Sequence, residues 1–117
     1  MYEASIVTMK DAQKAVRYFA KRNRWQDIPN IDKFDHIHEE LVEISQLLRY
    51  QTEEERLKTI AEKHDKINEE FGDLIFGIYR LANQLGIDVE EAFNLAKEKV
   101  FSKYDKKGPE HKIIRDS

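Results

Sequence analysis

The chain has 117 residues, of which 40% are hydrophobic and 37% are charged, with only four glycines and two prolines. This composition is typical of one helix-rich domain, and the absence of cysteine excludes disulfides, thiolate metal sites and a thiol nucleophile. The net charge of −3 argues against a nucleic-acid partner, and no apolar run approaches membrane-spanning length, so we expect a cytoplasmic location and no membrane partner.

Helix signals appear from the start of the chain. Thr8 is a predicted N-cap for a first helix that ends near residue 24. A loop or lid is predicted over residues 24–32, because Pro29 disfavours helix in the residue before it. Asp32 is the predicted cap of a second helix, which ends near residue 50.

Further capping signals divide the second half of the chain. Thr52 opens a capping box, and the helix that follows either continues to about residue 84 or breaks between residues 62 and 66. Gly86 is a predicted helix terminus, and Asp88 begins a last helix that reaches about residue 104. We therefore predict a single all-α domain, a bundle of four to five helices with a core over residues 8–104 and a tail over 105–117.

The run LIFGIYRLA, after Asp73, is apolar on almost every side. Ile75, Phe76 and Tyr79 occupy positions that should face water, so we expect a partner subunit to cover them. Gly77 either permits close helix approach or replaces a small core residue. His64 falls on the apolar side and is interpreted as a core or interface histidine rather than a ligand.

Two acidic clusters lie on the second and third predicted helical segments: Glu39, Glu40 and Glu43, then Glu69, Glu70 and Asp73. At about 100° per residue, the inner pair of each cluster lies roughly 70° and 130° from the centre of its apolar stripe, in the same rotational sense. Glu39 and Glu69 fall nearer to solvent. Each acid taken singly is most simply a solvated side chain, but four at the edge of one core would repel each other without a cation.

The type of ligand favours a hard divalent cation. Mg²⁺ prefers carboxylates, water and phosphate oxygens. A di-iron bundle would need Glu-x-x-His, and zinc would need histidine or cysteine, but Glu43 and Asp73 stand at those third positions. A phosphate ester or anhydride is then the expected substrate.

Two further features could bind such a substrate. Lys97, Lys99 and Lys103 give the last helix a basic side that could hold phosphate oxygens, although it could also be a solvated face. Trp25, the only tryptophan, could stack on a base or could plug the core.

These residues resemble those of a known family. Glu40-Leu-Val-Glu43 followed by Glu70-Phe-Gly-Asp73 resembles the ExxE…ExxD signature of the MazG-like all-α nucleoside triphosphate pyrophosphohydrolases. HEELVEISQLL, the run EEFGDLIFGIYRLANQLGIDVEEAF and the closing AKEKVFSKY are similar to the family's acid helices and last helix. FAKRNRW resembles the segment that places a tryptophan near the base in the deoxycytidine branch.

The resemblance implies hydrolysis of a nucleoside triphosphate between the α and β phosphates, with Mg²⁺, or Mn²⁺ in its place, as the cofactor. It implies that Glu40, Glu43, Glu70 and Asp73 are metal ligands, and that one of them or Glu39 helps to deprotonate water. It also implies a homodimer or homotetramer whose active site is partly shared between subunits.

Some features depart from the family pattern. Residues 50–66 are longer and more charged than in compact members, and the segment after Trp25 lacks the aromatic-His-x-Pro pattern of the deoxycytidine branch. The base preference therefore stays open. Two alternatives also remain, a non-catalytic helical oligomer with the same fold and an enzyme that acts on phosphoribosyl-ATP.

Overall fold

The computed structural model describes residue 6, residues 8–25 and residues 31–104. Five helices account for most of these residues: α1 (Met9–Arg22), α2 (Ile31–Leu48), α3 (Glu53–Glu62), α4 (His64–Leu85) and α5 (Val89–Tyr104). No strand occurs in these ranges, which confirms the predicted all-α fold. Most of the predicted loop and the predicted tail, 105–117, lie outside the described residues. None of the five helices is sufficiently long and apolar to span a membrane.

The helix starts follow local capping chemistry. Thr8 Oγ1 accepts a 3.0 Å hydrogen bond from the Asp11 amide, as predicted. Thr52 Oγ1 accepts from the Glu55 amide at 3.1 Å while the Glu55 carboxylate accepts from the Thr52 amide at 2.8 Å, so the predicted capping box is present. The prediction for Asp32 is wrong, because α2 already begins at Ile31.

Of the two alternatives for the long helical segment, the structure has the break between residues 62 and 66. Lys63 separates α3 from α4, so the long segment is two helices. Gly86 ends α4 with φ 68°, a left-handed conformation that glycine adopts without a Cβ clash. Asp88 Oδ1 then accepts from the Glu91 amide at 3.1 Å and begins α5.

Helices α2 and α4 pack closely in antiparallel directions. A Cβ added at Gly77 would lie 3.2 Å from Ile37 Cγ1, so the glycine permits a close approach of the two helices. This contact lies one turn beyond Asp73 on α4 and one turn before Glu40 on α2. The close approach therefore holds the two acidic segments against each other.

Polar side chains join α1 to α4 and to the turn before α5. Gln13 is 5% exposed; its Nε2 donates to Asn83 Oδ1 at 2.9 Å and to the Ile87 carbonyl at 2.7 Å. Its Oε1 accepts from the Val89 amide at 2.9 Å, and Arg17 also donates to Asn83. One buried amide thus connects three helices.

The apolar core is small for five helices. The buried hydrophobic residues among those described are Val16, Ala20, Leu74 and Ala82, and no large side chain in the same ranges is fully buried. Ile75 and Phe76 are 44% and 38% exposed. His64 is also exposed, so the prediction of a core histidine is wrong for the single chain.

Candidate metal centre between α2 and α4

Three of the predicted acids meet at the α2–α4 interface. Glu40, Glu43 and Glu70 each offer a carboxylate oxygen, and these oxygens all lie within 4.8 Å of one another. Glu40 and Glu43 lie on one face of α2 because they are three residues apart, and Glu70 faces them from α4. Glu70 is buried, Glu40 is half-buried and Glu43 is exposed, so the cluster opens to solvent on one side.

Of the three acids, Glu40 gives the strongest support for a bound cation. Its Oε1 is buried and has no hydrogen-bond partner. Burial, and then the negative charges of Asp73 and Glu70, raise the pKa of Glu40. A buried carboxylate oxygen without a donor is costly, and a cation at this point would satisfy it.

Glu43 and Glu70 interact with each other, and Lys66 pairs with Glu70. A hydrogen bond with Glu70 raises the pKa of Glu43, because the two carboxyl groups compete to stay ionised. Lys66, one turn earlier on α4, donates to Glu70 Oε2 at 2.8 Å. This hydrogen bond, followed by the one with Glu43, lowers the pKa of Glu70.

This donor set fits a hard divalent cation. The three groups offer only carboxylate oxygens, with no nitrogen or sulfur donor among them. Like charges at this separation are stable together when a cation lies between them. Glu40, Glu43 and Glu70 are therefore the residues that could hold Mg²⁺ or Mn²⁺.

Asp73, the fourth predicted ligand, lies next to the cluster rather than within it. It lines a recess of about 410 Å³ together with Glu40, Lys33 and His36. We refer to this space as the carboxylate recess. Asp73 is close enough to Glu40 to raise the pKa of that acid, so it adds negative charge to one wall of the recess.

The outer acids are exposed, as predicted. Glu39 lines a shallow recess of about 360 Å³ that also contains Glu43, one turn further along α2. Glu69 is exposed on α4. Glu39 thus lies beside the carboxylate cluster without belonging to the group of three.

The lysines predicted on the last helix do not reach the acids within one chain. Helix α5 packs against α1, and Lys97, Lys99 and Lys103 are exposed. No hydrogen bond or ion pair of the described residues joins them to the acid cluster; Lys103 instead lies 5.4 Å from the centre of the Tyr104 ring.

Lys33, which sequence reasoning missed, is the lysine that lines the carboxylate recess. It precedes Glu40 by seven residues, two turns along the same face of α2, and this spacing could have identified it. Burial, and then the positive charge of Arg80, lower the pKa of Lys33, while Glu40 opposes the shift. Lys33 therefore lies between the carboxylates and Arg80.

Trp25 and Lys33 line a recess of their own, of about 260 Å³, at which Glu40 and Asp73 are not lining residues. The Trp25 ring meets Phe19 edge-to-face at 5.4 Å, and the guanidinium carbon of Arg80 lies 5.0 Å from its centre. The residue is nevertheless 46% exposed. Trp25 is thus held in place without being sealed into the core, which favours the stacking interpretation over that of a plug.

Comparison with known protein families places most of the chain within one family model. The family model described as the MazG nucleotide pyrophosphohydrolase domain matches residues 32–107. The matched range contains both acid helices and the last helix, and it covers more than half of the chain. No curated protein and no solved structure matches the chain.

Proposed function

Because this chain belongs to the MazG nucleotide pyrophosphohydrolase family, we propose that it hydrolyses nucleoside triphosphates between the α and β phosphates. The products are a nucleoside monophosphate and pyrophosphate. The observation that supports this proposal most strongly is the group of three carboxylates within 4.8 Å, one of which has a buried oxygen without a partner. A site of this kind attracts a hard cation and, through it, a phosphate chain.

The proposed ligands are Glu40, Glu43 and Glu70, with Asp73 at the edge of the site. When bound, Mg²⁺ would offset the negative charge of the triphosphate and lower the pKa of the attacking water. Lys33 is suited to hold phosphate oxygens, because it carries a positive charge and lines the same recess as Glu40 and Asp73.

Cleavage of the anhydride consumes one water, whose proton must pass to a base as its oxygen attacks phosphorus. Glu43 is the proposed acceptor, since it is the exposed member of the group of three carboxylates and water can reach it from solvent. Glu39 is the second candidate because it shares an exposed recess with Glu43. The bond between the α and β phosphates then breaks and pyrophosphate leaves with the electron pair.

We further propose that the chain works as a homodimer or homotetramer. An apolar groove of about 650 Å³ runs between α1 and α4 and includes Phe19, Ile75 and Phe76. On α5, Phe93 and Leu95 are 53% and 64% exposed. Apolar surface of this extent on a chain with so small a core is best covered by a second copy.

A second copy would also give the α5 lysines a role. Lys97, Lys99 and Lys103 lie on a helix that packs against α1 in its own chain. In an assembly they could reach the phosphates of a substrate bound to the neighbouring copy. The cytoplasmic location stays a prediction from the sequence.

The direct test is pyrophosphate release from a panel of canonical and damaged nucleoside triphosphates and phosphoribosyl-ATP, with Mg²⁺ or Mn²⁺. Glu43→Gln and Asp73→Asn should each lose roughly a hundredfold or more in activity while keeping the helical fold, because changes outside the ligand shell already cost 10–100-fold. Glu69→Gln is the matched control, because Glu69 is an exposed acid next to Glu70 on α4 and lies outside the group of three carboxylates. Wild-type activity in both site variants would refute the assignment.

The same experiment separates the enzyme from a scaffold that has kept the fold. An enzyme should be stabilised thermally by Mg²⁺ with a non-hydrolysable nucleotide analogue, since a ligand that binds the native state raises its free energy of unfolding. A scaffold would show no such shift and no pyrophosphate release from any member of the panel.

A further inference from the structure

The order of contacts along α2 and α4 determines which residues lie at each end of the acid cluster. Gly77 lies against Ile37, whereas Glu43, later on α2, shares a hydrogen bond with Glu70, earlier on α4. The two helices therefore run in opposite directions past the cluster. Residues towards the start of α2 and residues towards the start of α4 thus lie at opposite ends of it.

Two lysines occupy these opposite ends. Lys33 precedes Glu40 by seven residues on α2, and Lys66 precedes Glu70 by four residues on α4. At about 1.5 Å per residue, the lysines are displaced along their helices by roughly 10 Å and 6 Å from these acids. A phosphate chain bound through a cation at the three carboxylates would therefore have a lysine at either end.

Lys66 has donors available for a ligand. Its side chain is 57% exposed, and within the described residues its Nζ donates one hydrogen bond, to Glu70 at 2.8 Å. That hydrogen bond is the main cause that raises the pKa of Lys66, so the ammonium keeps its charge. A lysine ammonium has three N–H donors. The other two can therefore bind an anion without loss of the contact with Glu70.

The two ends of the cluster differ in the space that they offer. On the Lys33 side, the carboxylate recess of about 410 Å³ includes the apolar side chain of Phe76. On the Lys66 side, residues 64–69 are exposed, apart from the half-buried Ile67. A nucleoside is bulky and partly apolar, whereas pyrophosphate is small and highly charged. The nucleoside therefore fits the recess, and the pyrophosphate fits the open end.

We propose that Lys66 is a substrate-binding residue that holds the pyrophosphate end of a nucleoside triphosphate, its β and γ phosphates. This inference rests on the proposed function, because it needs a triphosphate with its α phosphate at the carboxylates. As the water oxygen bonds to the α phosphorus, the bond from that phosphorus to the bridging oxygen breaks and the electron pair stays on pyrophosphate. The Lys66 ammonium offsets the negative charge that develops there.

Calorimetric titration of the full chain with the two products tests the assignment without turnover. At saturating Mg²⁺, Lys66→Met should bind inorganic pyrophosphate roughly tenfold more weakly than the wild type, because an exposed charge-assisted hydrogen bond is lost. Its affinity for the four canonical nucleoside monophosphates should stay the same. An unchanged affinity for pyrophosphate, an equal loss for the monophosphates, or no binding of pyrophosphate by the wild type would overturn the inference.

Two further variants and one further ligand separate binding from a disturbed fold. Lys66→Arg keeps the charge and should keep most of the pyrophosphate affinity, whereas Lys58→Met, on an exposed lysine of α3, controls for the loss of one positive charge. Removal of a cation beside the acids should tighten the binding of Mg²⁺ alone. If Lys66→Met instead binds Mg²⁺ and pyrophosphate more weakly together, the lysine only supports the cluster and the proposal is wrong.

The inference and the proposed function can fail separately. In an active enzyme, kcat/KM for a triphosphate should fall roughly tenfold in Lys66→Met and stay unchanged in Lys58→Met. Wild-type turnover in Lys66→Met would keep the enzyme and discard the role of Lys66. A pyrophosphate affinity that depends on Lys66, in a chain that releases no pyrophosphate from any triphosphate, would keep the binding residue and discard the proposed reaction.

Discussion

Lys66 Nζ donates a 2.8 Å hydrogen bond to Glu70 Oε2, one turn further along α4. The lysine thus places a positive charge against one of the three carboxylates that could hold a cation. This contact raises the pKa of Lys66 and lowers that of Glu70. In the chain without metal, Lys66 acts as the counter-ion of the site.

Replacing Lys66 by Met should therefore tighten the binding of Mg²⁺. The lysine competes with the metal for Glu70 and repels a divalent cation nearby, and its removal ends both effects. Because the Lys66 side chain is 57% exposed, solvent screens the interaction and we expect a gain of only a few-fold. Isothermal titration calorimetry with Mg²⁺ measures it.

The same variant should be slightly less stable than the wild type when a chelator removes the metal, since Glu70 then lacks its counter-ion. Lys58→Met, on an exposed lysine of α3, controls for the loss of one positive charge. If Lys66→Met binds Mg²⁺ no more tightly than Lys58→Met does, Lys66 does not compete for the site.

Asp88 links the start of α1 to the start of α5, and this link should depend on pH. Its carboxylate accepts from Lys10 Nζ at 2.8 Å. That hydrogen bond lowers the pKa of Asp88 and raises the pKa of Lys10. The stabilisation is therefore complete above the ordinary aspartate pKa of about 3.9 and is lost as the pH falls through the lower folded value. It is also lost as the pH rises through the raised pKa of Lys10.

Lys10→Met should lower the melting temperature by at most a few degrees at pH 6, because both partners are largely exposed. The difference from wild type should shrink as the pH falls below the ordinary aspartate pKa of about 3.9. Asp88 keeps its hydrogen bond from the Glu91 amide in this variant, so α5 retains its cap. Lys14→Met, on the same helix, is the control; a difference that persists unchanged at pH 2 would contradict the assignment.

Local rules predicted much of the fold and the meeting of the acids. Thr8, Thr52 and Gly86 act within a few residues of themselves, so their capping roles can be recognised without knowing the tertiary contacts. Glu40 and Glu70 lie on the same shoulder of their apolar stripes, so helical periodicity places each acid at the edge of the buried face of its helix. The break at Lys63 was placed only within a range, because neither a proline nor a glycine marks it.

Periodicity failed where polar contacts between helices decide burial. Helical spacing puts Phe71 and Ile78 on the same face of α4 as the buried Leu74, but they are 51% and 43% exposed. Asn83 and Gln84 are buried instead, at 8% and 6%. Gln13 donates a hydrogen bond to Asn83, which lies seventy residues further along the chain. A local sequence pattern cannot predict a pair at this separation. The spacing of seven residues places Lys33 on the same face of α2 as Glu40, but its proximity to Arg80 and Asp73 depends on the packing of α2 against α4 and has no local signal.

The Gln13 network should contribute measurably to stability. Gln13→Ala removes the partner of the Ile87 carbonyl and of the part-buried Val89 amide, whereas Asn83 Oδ1 keeps its hydrogen bond from Arg17. We expect a loss of about 1–3 kcal/mol in the free energy of unfolding, since a buried group left without its partner costs about 1–3 kcal/mol. Urea denaturation followed by circular dichroism measures this loss.

Lys14→Ala is the matched control, because residue 14 is the exposed neighbour on the same helix. It should change stability by less than about 0.5 kcal/mol. A similar stability for the two variants would show that water replaces the Gln13 amide without cost, and the network would then not hold α1 against α4 and α5.

The groove between α1 and α4 should be the contact between copies. Ile75 lines the groove and is 44% exposed, although it lies on the helix that supplies Glu70. Ile75→Glu would cost little in a monomer, since the new carboxylate could reach water. In an assembly it would bury a charge against apolar surface, so we expect sedimentation velocity to show smaller species and a melting temperature that falls.

Leu57→Glu is the control, because Leu57 is 62% exposed on α3 and does not line the groove. It introduces the same charge at an equally apolar position. The proposal requires the two variants to differ: the Leu57 variant should sediment like the wild type, whereas the Ile75 variant should dissociate on dilution. If both sediment like the wild type, the groove is not an interface between copies.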